Sequence, residues 1–234
     1  MPFRPYHQLR NKVRLENVVS NLHDAGNVHQ VVFENFQRYH PSLIYKLRSA
    51  KHNFELLSNK LATPDIREAI NPSGNFMFEI NMFIDGYFYA AGSSLDILAR
   101  VVLTMFGVAL PEKVYFQHAY DKLSVARPGD LILQRLAPPA WRDEFSNYRN
   151  TLTHELILAN TIQLNLGYYG DEQTVSVNFP LPDDPRAKPA DRTYHNNPDV
   201  LDYIKTNFIR ILRIVNTVYG DIAERAEVIG HLPI

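Results

Sequence analysis

The sequence predicts a mainly α-helical protein that carries one small β-hairpin. Two observations predict this fold class. Apolar residues recur every three or four positions through most of the chain, which is the period of an amphipathic helix. Strict alternation of apolar and polar residues is confined to "TIQLNLGYY" and "TVSVNF", which flank the turn-forming "GDEQ" and therefore indicate a hairpin within a helical chain.

The composition is that of an ordinary globular protein. A chain of 234 residues can bury one sizeable core, and 45% hydrophobic with 21% charged residues is a typical globular balance. The net charge of -1 excludes the general basic footprint of a dedicated nucleic-acid binder, so any contact with phosphates must be local. Cysteine is absent from the sequence, which excludes disulfides and thiolate metal sites.

The sequence favours a cytoplasmic protein without membrane contact. Its start, "MPFRPYHQLRNKVRLENVV", lacks the apolar core that a secretory signal needs. The most apolar region, residues 76–108, is interrupted by Glu79, Asp85, Asp96 and Arg100 before it could span a bilayer. We therefore expect this region to form a core helix.

The first third of the chain predicts helices followed by an irregular connection. Residues 21–57 have a helical pattern, and Pro41 is expected to break or kink it, so two helices are predicted there. The apolar stripe comprises Val28, Val31, Val32 and Phe36. Turn formers crowd residues 63–75, where a short helical turn is expected after Pro64.

A long helix is predicted over residues 76–106, ended by Gly107 and then Pro111. Its middle, "AAGSSLD", is a run of small residues that would let another helix approach closely. Tight packing is the favoured interpretation of this run. A shorter helix is expected over residues 112–125, followed by a turn at "ARPGD".

The second half of the chain predicts a helix, the hairpin, a loop and a final helix. Pro138 and Pro139 introduce a helix over residues 141–158, and a proline-rich loop follows the hairpin as a functional flap or a mobile excursion. Asn197 caps and Pro198 opens the last helix. Its apolar stripe is expected in a bundle core and comprises Leu201, Ile204, Phe208, Ile211, Val215, Val218 and Ile222.

The helix over residues 141–158 carries the segment "YRNTLTHE", where candidate site residues are concentrated. At about 100° per residue, the side chains of this helix divide between two faces. The apolar face is expected to contain Trp141, Phe145, Tyr148, Leu152 and Ala159. The polar face is expected to contain Asp143, Ser146, Asn147, Asn150 and His154.

The polar residues of this helix suggest a site for an anion. A guanidinium beside an imidazole is poorly explained by mutual attraction, whereas a shared phosphate explains both Arg149 and His154. Asn150 lies one turn before His154 and can fix its tautomer, while Arg142 and Asn147 are candidate substrate contacts. The alternative is that Arg149 pairs with a carboxylate elsewhere and His154 completes a polar surface.

These residues resemble a known motif. Arg149, Asn150 and His154 match the R-N-x-x-x-H form of the arginine-histidine motif of the HEPN superfamily, named for higher eukaryote and prokaryote nucleotide-binding domains. The earlier helix with "SSLDILARVVLTMFG" also looks like the helix that packs against the motif helix in several bacterial members. The resemblance covers roughly residues 76–158 and the terminal helix.

The resemblance implies a fold and a domain organisation. Residues 76–234 would form a HEPN-like helical bundle, with the hairpin and loop inserted at about residues 161–197, after the motif helix. Residues 1–75 would form an N-terminal helical extension packed on that bundle. Many HEPN proteins pair about a two-fold axis, so a homodimer is expected.

The resemblance also implies a function, because many HEPN proteins are metal-independent ribonucleases of toxin, stress or defence systems. On this hypothesis His154 transfers protons, Arg149 stabilises charge on the phosphate, and Asn150 orients one of them. RNA or a nucleotide would be the ligand, and an antitoxin protein is a possible partner. The alternative is a non-catalytic HEPN-like module that binds a nucleotide or a protein.

Other chemistries find little support in the sequence. The nine histidines are scattered, without an H-E-x-x-H motif or a histidine pair four residues apart, so no metal is expected. Phosphate-binding loops, the dinucleotide fingerprint and the serine-hydrolase elbow are also missing from the sequence. We therefore expect no cofactor.

Overall fold

A computed structural model describes residues 9–62, 74–137, 139–154, 163–169, 172–196 and 199–232. These residues are mainly helical, which confirms the predicted α class. The helical turn expected after Pro64 and the cap expected at Asn197 and Pro198 lie outside the described residues. Ala159, expected on the apolar face of the motif helix, lies outside them as well.

Long helices dominate the described chain. The α-helices are α1 (Arg10–Asp24), α2 (Gln30–Ala62), α3 (Asn75–Met105), α4 (Phe116–Ala126), α5 (Ile132–Leu136), α6 (Trp141–His154) and α7 (Val200–Ile229). The strands are β1 (Gln163–Tyr169) and β2 (Glu172–Asn178), and a short 3-10 helix spans Pro189–Asp191.

The expected break at Pro41 is wrong, because α2 continues through this residue. Buried side chains on both sides, among them Phe36 and Leu43, hold the helix across the missing backbone hydrogen bond. The boundary between the first two helices lies at Gly26, which adopts a φ of 74°. There the Asn27 amide donates to the Leu22 carbonyl at 2.8 Å, which closes α1 with a Schellman motif.

The end of α3 agrees with the sequence prediction. Gly107 has a φ of 63°, and its amide donates to the carbonyl of Thr104 at 3.1 Å. The amide of Val108 donates to the carbonyl of Leu103 at 2.8 Å, which completes a Schellman motif. Glycine reaches this left-handed conformation without the steric cost that a side chain would add.

The segment between α3 and α6 differs from its prediction. Helix α4 begins at Phe116 rather than at residue 112, and the Asp96 carboxylate accepts a hydrogen bond of 3.0 Å from the Phe116 amide. The short helix α5 was not expected from the sequence. Its amphipathic pattern covers too few residues to be recognised, while burial of Ile132 and Leu136 stabilises it.

Strands β1 and β2 lie in the segment where the sequence predicts a hairpin, and they pair in antiparallel register. Gln163 is opposite Asn178 and Tyr169 is opposite Glu172. An isolated antiparallel bridge also joins Pro180 to Asp199. This bridge brings the end of the hairpin segment to the start of α7.

The chain divides into two compact units, and each draws on segments that are distant in sequence. Unit 1 comprises segments within Met1–Leu47, Ser93–Pro139 and Ile209–Ile234. Unit 2 comprises segments within Arg48–Gly92 and Ala140–Phe208 and contains the motif helix. The division at residue 75 that the sequence suggested remains a prediction.

Helix α3 is the one described helix with the length and apolar composition of a membrane span. However, 72% of its most apolar stretch is buried inside the protein. Such burial is typical of a core helix, since a membrane span would direct its apolar side chains outward to lipid.

Candidate functional site

An aromatic cluster in unit 2 holds the motif helix α6. Phe145 and Tyr148 are each 1% exposed. The ring of Phe88 on α3 lies 5.2 Å from that of Phe145 and 5.9 Å from that of Tyr148, measured between centroids. Tyr203 on α7 adds an edge-on contact with Tyr148 at 5.0 Å. Because Phe145 and Tyr148 share one face of α6, their burial determines the rotation of the helix about its axis.

The Tyr148 side chain also connects α6 to the loop that follows the hairpin. Its hydroxyl donates a hydrogen bond of 2.6 Å to the backbone carbonyl of Pro182. Burial raises the pKa of Tyr148 well above its ordinary value, so the phenol remains a neutral donor. The proline-rich loop is therefore attached beside the motif helix.

Arg149 lies against the backbone of α3 at Gly92. A Cβ atom added to Gly92 would come within 2.5 Å of Arg149 Cδ and 2.6 Å of its Nε. Gly92 is buried and Arg149 is half-buried. The guanidinium end of Arg149 therefore lies in space that the side chain of any residue larger than glycine at position 92 would enter.

The other candidate residues of α6 have different surroundings. Asn150 is exposed, whereas Arg142 and Asn147 are half-buried. Arg142 precedes Arg149 by seven residues, so the two arginines lie on the same flank, about 10 Å apart along the axis. Asn147 and Asn150 are on the side of the helix that faces away from Phe145.

The backbone of His154 belongs to α6, but its side chain lies outside the described part of the chain. On an ideal helix its Cα–Cβ direction differs from that of Arg149 by about 140°. The same construction places His154 about 40° from Asn150. That Asn150 and His154 share a face therefore remains a prediction from helix geometry.

Comparison with protein-family models, curated proteins and solved structures returned no match.

The loop beside α6 has an ordered centre at Asp183. Its carboxylate accepts hydrogen bonds from the Thr193 hydroxyl at 2.8 Å and from the backbone amides of His195 at 2.8 Å and Asn196 at 2.9 Å. These bonds, the Asn196 amide first, hold the pKa of Asp183 below its ordinary value. Asp183 therefore organises the loop as an ionised acceptor.

Asp85 on α3 is an acid among apolar residues. The exposed positions around it are large and apolar, since Phe78 is 68% exposed, Met82 48% and Tyr89 54%. Part of the Asp85 side chain reaches solvent, yet the surrounding protein displaces enough water to raise its pKa to about 6. The carboxylate therefore meets solvent within an otherwise apolar stretch of α3.

Groups of three or more potential metal ligands are not found among the described residues.

Sequence reasoning missed two features of this region. Thr151 is 2% exposed and faces the core beside Tyr148. Its polar hydroxyl did not predict this burial from the sequence. The contact between Gly92 and Arg149 was also missed, because the small residues around Gly92 were interpreted only as helix packing. A signal was present: glycine at position 92 follows two alanines, which would have supplied close packing with better helix propensity.

Proposed function

We propose that this protein is a metal-independent endoribonuclease of the HEPN type. The observation that supports it is the placement of Arg149. This residue is on α6, which also carries Asn150 and His154, and its guanidinium end lies against α3 at Gly92. A half-buried guanidinium binds a phosphate more strongly than one in bulk water, because the local dielectric is lower.

The proposed reaction uses the RNA's own 2′-hydroxyl as the nucleophile. A base removes the 2′ proton, the 2′ oxygen attacks the adjacent phosphorus, and the bond from phosphorus to the 5′ oxygen breaks. An acid returns a proton to that 5′ oxygen, which leaves a 2′,3′-cyclic phosphate. In this scheme His154 transfers protons, Arg149 stabilises the phosphate charge, and Asn150 orients the imidazole. Arg142 and Asn147 are proposed substrate contacts.

The active form in this proposal is a two-fold dimer. One chain supplies one motif histidine, whereas the reaction benefits from a base and an acid. The divergence of about 140° between Arg149 and His154 also favours a cleft assembled from two copies of α6. A cytoplasmic location and an antitoxin protein that covers the cleft belong to the same proposal.

The first experiment measures cleavage of a labelled single-stranded RNA in EDTA by the wild type and by His154→Ala. We expect 2′,3′-cyclic phosphate products from the wild type and a loss of at least about 100-fold in His154→Ala. His52→Ala is the matched control, since His52 is an exposed histidine of unit 2 outside the motif. Equal rates for wild type and His154→Ala would refute the catalytic role.

A mixing experiment tests the composite cleft. Arg149→Ala and His154→Ala are each expected to be inactive as homodimers. Co-refolding the two variants should restore a small part of the activity if one cleft draws on both chains, because the mixed dimer then retains one arginine and one of the two histidines. Recovery should be absent if each chain carries a complete site.

A second candidate is a non-catalytic module that binds a protein partner through the same helices. It is favoured by the exposed apolar side chains of Phe78, Met82 and Tyr89, which recur on one face of α3. An active wild-type enzyme that tolerates Met82→Glu would favour the ribonuclease. An RNA-inert wild type that forms a complex sensitive to Met82→Glu would favour the binding module.

A further inference from the structure

Gly92 has a position that helix packing alone does not explain. It lies in the interior of α3, directly after the buried residues Ala90 and Ala91. Alanine is the best helix former and glycine among the poorest, so a glycine here reduces helix stability. It is expected where a side chain would collide with a neighbouring group. The nearest atoms to its absent Cβ are Cδ, Nε and Cζ of Arg149.

Two other helix glycines show that this arrangement recurs in the protein. A Cβ on Gly86 would meet the side-chain amide of Asn53, and a Cβ on Gly220 would meet that of Asn11. In each case a polar side chain from another helix occupies the space that a Cβ would need. The Gly92 contact differs from these because the seated group is a long, permanently charged side chain.

We propose that Gly92 is a positioning residue that holds the Arg149 guanidinium in the orientation needed to bind a phosphate. An arginine side chain loses considerable conformational entropy when it is fixed. If contact with Gly92 already holds the side chain in place, that entropy cost does not reduce the affinity for the phosphate. The functional half of this inference rests on the proposed ribonuclease activity. The structural half, the dependence of Arg149 on Gly92, stands independently of it.

A double-mutant cycle tests the structural half. The urea midpoint is measured for wild type, Gly92→Ala, Arg149→Ala and the double variant. In the Arg149→Ala background, Gly92→Ala should raise the midpoint, since alanine favours the helix and its Cβ meets no arginine. In the wild-type background the same change should lower the midpoint or raise it less. Equal effects in both backgrounds would overturn the inference.

Gly86→Ala provides the matched control for the cycle. Gly86 belongs to the same helix, but the side chain over it is Asn53 rather than Arg149. Its effect on the urea midpoint should therefore be the same with Arg149 or with alanine at position 149. If Gly86→Ala depended on Arg149 as strongly as Gly92→Ala does, the dependence would reflect a general change in α3. That result would contradict a specific contact between Gly92 and Arg149.

RNA measurements test the functional half. Gly92→Ala should lower kcat/KM by roughly 10- to 100-fold, because the arginine is displaced by about an ångström rather than removed and binds the phosphate less well. Binding of a fluorescent 20-nucleotide single-stranded RNA should weaken in Gly92→Ala and show no further loss when Arg149→Ala is added. If the wild type neither binds nor cleaves RNA, the proposed function fails, and the urea cycle alone decides whether Gly92 seats Arg149.

Discussion

The Nδ1 atom of His40 lies 2.9 Å from the hydroxyl oxygen of Tyr219, at a buried junction between α2 and α7 in unit 1. Its Nε2 lies 2.6 Å from Glu16 Oε1 on α1. A neutral imidazole protonated on Nε2 satisfies both neighbours, since Tyr219 donates to Nδ1 and the ring donates to Glu16. His40 is 4% exposed and Glu16 half-buried, so the imidazole joins three helices from a largely buried position.

The first prediction concerns pH. Burial lowers the pKa of His40, although the bond to Glu16 partly opposes this effect. The pKa of histidine in the unfolded chain is about 6.5. Below that pH the unfolded chain therefore binds a proton at this residue more readily than the folded protein does. Stability should fall as the pH drops from about 6.5, by at most about 1.4 kcal/mol per pH unit for this residue. Urea unfolding at several pH values measures the slope.

The variant His40→Gln should flatten that slope, because an amide forms hydrogen bonds without titrating in this range. His52→Gln, at an exposed position of the same helix, is the control and should retain the wild-type slope. An unchanged pH dependence in His40→Gln would show that His40 does not contribute the proton.

The second prediction concerns Asp85, whose pKa is raised to about 6. Between about pH 4 and pH 6 the folded protein holds a proton that the unfolded chain releases, so this residue reduces stability as the pH rises through that window. Asp85→Asn should therefore stabilise the protein at pH 7 by about 1 kcal/mol, after allowance for solvent screening, and change little at pH 3. Glu112→Gln removes an exposed carboxylate and is the control in the urea unfolding measurements.

The third prediction concerns the Tyr148 phenol. Tyr148→Phe leaves the Pro182 carbonyl without its donor in a buried environment, which should reduce the free energy of unfolding by about 1–3 kcal/mol. Tyr45→Phe, at a side chain that is 66% exposed, should change it by less than about 0.5 kcal/mol. Chemical denaturation measures both values. A loss in Tyr148→Phe no larger than in the control would mean that the bond adds nothing to stability.

The fourth prediction concerns the aromatic cluster that orients α6. Phe88→Ala removes a fully buried ring that contacts Phe145, Tyr148 and Tyr203, and it should cost about 3–5 kcal/mol of unfolding free energy. If the cluster positions the motif helix, Phe88→Leu should retain more stability yet still reduce RNA cleavage. Val125→Ala, at an 83% exposed position, is the control. Full cleavage activity in a folded Phe88→Ala protein would contradict the positioning role.

Long helices with uninterrupted apolar periods were predictable from the sequence. The predicted end of α3 agrees with the structure because Gly107 acts locally, through its own φ and two neighbouring hydrogen bonds. Phe145 and Tyr148 were likewise expected on the buried face of α6, since residues three apart share a helix face. The break at Pro41 was wrong because local propensity was overridden by burial along α2.

By itself the sequence determined the helical class, the ends of the apolar helix α3 and the residue types grouped on α6. All of these depend on contacts within a few positions along the chain. Only the tertiary structure decided that Gly92 receives the Arg149 side chain and that His40 connects Glu16 to Tyr219. Periodicity specifies which face of a helix is buried but not which neighbour covers it, because that choice depends on how all the helices pack together.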